Sequence, residues 1–234
     1  MLKIIVAICV MLLLEGCKTV QTYYEMTDTT YVSSNYYINP HLENIMVKRV
    51  LFAPLKNETL YREEVEALEK TFAEQWSAIH RFEVIPAMGE VRKNLQEVAL
   101  RDKGRFYKLL LYDIGERYNI DAIIFTTITS FFPYEPCKLG VNAQMIHTRS
   151  GDVLWAIDEQ YDGNQRDVGN LAKEYYYEKL QFSHPLTDWK IMLVSMKYFS
   201  QMIGNHIAET LLEKERNLRI DESLLKTATA LELP

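Results

Sequence analysis

DAIIFTTITSFFPYEPCKLGVNAQMIHTRSGDVLWAIDEQYD, residues 121–162, holds three strand signatures in a row: Ala122–Phe132, Leu139–His147 and Val153–Tyr161. The first is rich in Ile, Phe and Thr, which suit a pleated and mostly buried surface. In the second, Val141, Ala143 and Met145 alternate with Asn142, Gln144 and Ile146, the period of two that a half-buried strand needs. Thr148-Arg149-Ser150-Gly151-Asp152 supplies a tight turn, with Gly151 free to take positive φ. Such a meander exposes a face and must pack on something, so the flanking chain is expected to supply helices.

Upstream, Val47–Leu55 reads as a strand closed by Pro54. Val65, Leu68, Phe72, Trp76 and Ile79 then recur at spacings of three and four, the stripe of a long amphipathic helix. Phe82–Ile85 is a short strand, and Glu90–Arg101 and Phe106–Tyr118 are helices around Gly104. Strand–helix alternation favours a parallel core with crossover helices, to which the meander adds antiparallel strands. Downstream, Arg166–Leu180 is helical, Phe182–Pro185 is a break, and a helix capped by Thr187 or Asp188 runs to about Arg216. Along it Trp189, Met192, Met196, Phe199, Ile203 and Ile207 form a stripe that suits a core or an interface. The expected fold class is α/β (α+β), a mixed β-sheet with packed helices plus C-terminal helices. Four segments are expected: 1–16 a signal peptide, 17–45 a tyrosine-rich tether, 46–216 the folded domain, and 217–234 a flexible tail.

The chain has 234 residues, 48% of them apolar, enough for a substantial core. A net charge of −6 leaves no basic footprint, which disfavours nucleic acid as a partner. Lys3 followed by the apolar run Ile4–Leu14 is too short to span a bilayer as a helix but suits a signal-peptide core. It ends in Leu14-Glu15-Gly16-Cys17, which resembles a bacterial lipobox, although Glu15 stands where a small or apolar residue is usual. The resemblance implies a diacylated Cys17 as the new amino terminus, and Lys18 in place of Asp implies sorting to the outer membrane. Loss of residues 1–16 removes Lys3 and Glu15, which cancel, so the charge stays at −6. Cys9 leaves with the signal, so Cys137 has no partner for an intrachain disulfide.

The strand VLFAPLKNET, the later DAIIFTTITSF and above all LGVNAQMIHTRSGDVLWA resemble the superfamily that includes the curli secretion channel lipoprotein CsgG and the lipoprotein activators of penicillin-binding proteins. The likeness spans about Val47–Tyr161, with His147 and Ser150 standing where that family's strand-turn-strand usually has Asp and Thr. It implies a fold similar to the TolB amino-terminal and anticodon-binding domains, in a lipid-anchored periplasmic protein that binds or assembles and is not an enzyme.

Chemistry-bearing patterns are sparse. The five histidines are scattered, and there is no P-loop, GxGxxG or G-x-S-x-G elbow. Asp152, Asp158, Glu159 and Asp162 cluster near the third strand and would be the acid pair of a hydrolase. They read more simply as a solvated strand end. No metal, cofactor or small-molecule substrate is expected. Phe132, Tyr134 and Trp155 are the candidate partner contacts, because aromatic side chains dominate interfaces. The expected role is a lipid-anchored envelope binding or assembly protein whose partners are the membrane, through its anchor, and another envelope protein. The alternative is a subunit of an oligomeric ring.

Overall fold

A computed structural model describes residues 31–101, 108–181 and 188–212. The expected signal peptide, Cys17, the first part of the tether, Gly104, the break at Phe182–Pro185 and the tail at 217–234 lie outside the described residues. The strands are β1 (Tyr36–Ile38), β2 (Arg49–Phe52), β3 (Lys56–Asn57), β4 (Glu83–Pro86), β5 (Ala122–Phe132), β6 (Lys138–His147) and β7 (Val153–Asp162). The helices are α1 (Arg62–Ala78), α2 (Gly89–Arg101), α3 (Lys108–Tyr118), α4 (Arg166–Tyr175, continued by a wider turn over Tyr176–Leu180), α5 (Ile191–Val194) and α6 (196–212).

One sheet runs β1-β7-β6-β5-β2-β4, with β3 added to β5. β2 lies parallel to both β4 and β5, and the β5-β6-β7 meander is antiparallel. The expected mixed α/β architecture is therefore the observed one. Its layering follows from topology. The β2–α1–β4 crossover steps outward and the β4–α2–α3–β5 crossover steps back over β2. Two crossovers of one hand that step in opposite directions must cover opposite faces.

They do. Val65, Leu68, Phe72 and Trp76 of α1 share a core with Val50, Phe52, Ile124, Val141, Met145 and Trp155. Val91, Leu95, Leu111 and Ile114 of α2 and α3 share a second core with Leu51, Ile123 and Ile146. The alternation in β6 thus sorts Val141, Ala143 and Met145 to one face and Ile146 to the other, as its sequence period requires.

Two expectations change. Residues 31–45 are not tether: Tyr36–Ile38 pairs antiparallel with Trp155–Ile157 as the edge strand, and Leu42 and Ile45 pack on the first core. The helix expected through Ser195 is broken there, because Ser195 has extended backbone (φ −114°, ψ 113°) between α5 and α6. The break lets both pieces turn their apolar side inward. Met192, Phe199, Met202, Ile203 and Ile207 are all fully buried, so the stripe is core and not interface.

Candidate functional site

The most elaborate polar cluster is built on β7. In that strand Trp155, Ile157, Glu159 and Tyr161 fall on one face by alternation, and that face is the larger core. Glu159 is consequently a buried carboxylate, a costly placement unless its oxygens are satisfied. They are well satisfied. Ser33 Oγ and the Tyr161 hydroxyl each donate to Oε2 at 2.9 Å, and the Tyr31 hydroxyl reaches it at 3.4 Å. The backbone N–H groups of Ser34 and Asn35 donate to Oε1 at 2.6 and 3.3 Å. Burial, then the neighbouring carboxylate, pushes the Tyr161 hydroxyl well above its ordinary value, and the same causes raise Tyr31. Both phenols therefore remain protonated donors.

His206 of α6 closes the cluster, its Nε2 2.8 Å from Ser33 Oγ. Its ring meets Tyr31 edge-on at 5.0 Å between centroids. Ser33, His206 and Glu159 superficially match a nucleophile, base and acid, but the connectivity differs, since the carboxylate accepts from the serine instead of holding the imidazole. A serine hydroxyl has one proton. With that proton directed to the carboxylate, the His206 tautomer that completes the contact is the one whose Nε2–H donates to Ser33. A nucleophilic serine needs the reverse, an imidazole that accepts its proton. The arrangement is a fastener: it fixes residues 31–35 to β7, and β1 follows directly from it. Beside it lies a cleft of about 150 Å³ bordered by Tyr31, Ser33, Tyr175, Asn205 and His206.

The other carboxylates do not assemble. Asp158 is exposed on the opposite face of β7 from Glu159, Asp152 is exposed at the turn, and Asp162 bridges Lys138 at 2.7 Å. That hydrogen bond holds the Asp162 carboxyl below its ordinary value. Among the described residues no group of three or more His, Cys, Asp or Glu could hold a metal ion, and no helix is long and apolar enough to cross a membrane.

The aromatic candidates separate. Phe132 and Tyr134 are exposed and meet edge-on at 5.6 Å. Trp155 is fully buried, T-shaped on Trp76 at 5.0 Å, with its indole N–H donating to Thr210 Oγ1 at 2.9 Å. It cannot touch a partner, because inward parity in β7 commits it to the core. Cys137 is also buried, with Sγ 3.7 Å from the Pro133 carbonyl, and burial followed by nearby Glu135 pushes its thiol up to about 11. Sequence reasoning missed Ser33, His206 and Thr210 and read Glu159 as solvated. Parity alone would have found Glu159, since it sits two residues from both Ile157 and Tyr161.

No protein-family model and no curated protein matches the chain. Solved structures with a similar course include the PelC dodecamer from Paraburkholderia phytofirmans, at 9% identity over 76% of this chain and 91% of that one, with a TM-score of 0.43. Lipoprotein GNA1162 from Neisseria meningitidis aligns at 16% identity over 56% and 96%, with a TM-score of 0.39. The LpoB C-terminal domain from Salmonella enterica aligns at 9% over 49% and 82%, with a TM-score of 0.34. Likenesses this remote carry no conclusion about activity or partners.

Proposed function

We propose that this chain is a lipid-anchored binding or assembly protein of the bacterial envelope, held at the periplasmic face of the outer membrane through Cys17. It engages another envelope protein and turns over no substrate. The observation that carries the reading is the use made of the buried polar cluster. Glu159, Ser33 and His206 are spent on fixing the segment that leads back toward Cys17, in a proton arrangement unsuited to nucleophilic attack. The lipobox-like Leu14-Glu15-Gly16-Cys17 and the sequence resemblance over Val47–Tyr161 support the same reading. A ring assembled through the last helix is less well supported, since the apolar stripe of α6 is consumed by the core.

The test is Cys17→Ala together with inhibition of the lipoprotein signal peptidase. Both treatments are expected to shift gel mobility and to move the protein out of the membrane fraction. Unchanged mobility and unchanged fractionation in both would refute the anchor. Crosslinking in cells, followed by identification of the captured species, tests the binding role.

A further inference from the structure

One end of the sheet gathers exposed apolar side chains from three separate parts of the chain. Phe132 ends β5 and Tyr134 follows it, 43% and 63% exposed. β3 brings the next loop alongside, with Glu58 N–H on the Ile128 carbonyl at 3.1 Å and the Tyr61 ring 5.5 Å from Phe131. That loop carries Leu60, 97% exposed. α5 docks from a third direction, its Leu193 carbonyl accepting from Cys137 N–H at 3.0 Å, and presents Val194, 38% exposed. Isolated exposed apolar residues need no explanation, but these four, from three segments, are presented at one end of the sheet.

Tyr31, the first described residue, lies at this same end. The Tyr31 ring lies tilted against Tyr161 at 5.6 Å between centroids, and Tyr161 pairs with Leu139 next to the Lys138–Asp162 rung. The β6–β7 turn at Arg149 is at the opposite end. Thirteen residues lie between Cys17 and Tyr31, so Tyr31, at the same end as these side chains, is within about 50 Å of the acylated cysteine. We infer that Leu60, Phe132, Tyr134 and Val194 form a second contact with the lipid surface, seated in the headgroup region of the bilayer that carries the anchor. The inference rests on the anchored reading above.

The chemistry of the end fits that occupant. A tyrosine and a phenylalanine side by side place apolar rings and one hydroxyl at the depth where aromatic residues favour a bilayer interface. The local charges are paired, Lys138 with Asp162 and Lys56 with Glu58, both at 2.7 Å. The exposed cations of the segments that reach this end, Arg166, Lys190 and Lys197, are matched in number by the exposed Glu135, Asp167 and Asp188. A nearly neutral rim does not select anionic lipid, so the contact forms on zwitterionic lipid and withstands added salt.

The test places a photoreactive benzoylphenylalanine at Tyr134, at Leu60 or, as control, at Arg149 of the full chain in cells, with the mass of the Cys17 peptide read on the same sample. Phospholipid adducts at 134 and 60, absent at 149, are expected. Acylated Cys17 with no lipid adduct at either position overturns the contact while leaving the anchor standing. A protein adduct at 134 also overturns it, since the patch then faces a partner. If Cys17 carries no acyl chain the anchor fails, and the purified chain irradiated with excess zwitterionic vesicles decides the contact by the same photoproduct.

Discussion

Replacing Glu159 by Ala removes the acceptor for three hydrogen bonds of 2.9 Å or shorter, from Ser34 N–H, Ser33 Oγ and the Tyr161 hydroxyl. Hydrogen bonds to a charged group contribute about 1.5–3 kcal/mol each. Two of the three hold the edge segment, so its docking weakens by about 3–6 kcal/mol, an increase of roughly 10²- to 10⁴-fold in local opening. Ser33 and Ser34 escape the cost of unsatisfied burial by moving into water. Tyr161 cannot, because it is locked in the core, so global stability falls by a further ~1–3 kcal/mol. Hydrogen exchange read by mass spectrometry should show faster exchange in peptides covering residues 34–39, where Asn39 N–H otherwise donates to Leu154 at 2.8 Å. Peptides from β5 and β6 should change only by the smaller global amount, and the urea midpoint should drop accordingly. Glu159→Gln keeps an acceptor but loses the charge and should fall between. Unaltered exchange at 34–39 in the Ala variant would refute the fastener.

Cys137, with its thiol raised to about 11, should hold roughly one thiolate in a thousand at pH 8, so aromatic disulfide reagents should label it only after unfolding. Rapid labelling of the native protein would contradict its burial. Gly115→Ala in α3 sets helix propensity against space. The gain is about 1 kcal/mol, but the new Cβ would lie 2.7 Å from Thr148 Oγ1 and 3.1 Å from the Ile120 carbonyl, so a net loss of ~1–2 kcal/mol in urea unfolding is expected. A variant at least as stable as the parent would show that Thr148 gives way freely. His147, its pKa lowered chiefly by burial, binds its proton later in the folded state than in the unfolded one. Its contribution is therefore complete above about pH 6.5 and declines as pH falls from there through the folded-state value. His147→Gln should flatten the stability–pH curve in that window, and an unchanged slope would assign the dependence to other groups.

The meander was legible because its strands announce themselves twice, by β-branched and aromatic content and by alternation, and the bounds Ala122–Phe132 hold as read. Val65, Leu68, Phe72 and Trp76 were equally plain, since a helix with one apolar side has a single period. β1 was not legible. A strand of three residues carries no measurable period, and Ser33-Ser34-Asn35 looks like a loop until Glu159 is set opposite it. The site failed for the same reason. A carboxylate inside an alternating strand reads as solvated when it is counted with Asp158 and Asp162, and apart from Tyr161 its side-chain partners, Ser33 and Tyr31, are distant in sequence. Ser195 reads as a small residue inside one helical run, because a single extended residue between two helices with the same apolar character leaves the composition unchanged.

The edge placement of β1 has a mechanical side. Its rungs to β7 run across the strand axis, and the chain toward residue 1 continues from the end where Ser33 and Ser34 grip Glu159. Tension arriving through that chain along the strand strains all of those bonds at once, in shear, instead of peeling them off singly. A load of this kind is thus resisted by many bonds in parallel, the Ser33 and Ser34 contacts with Glu159 among them.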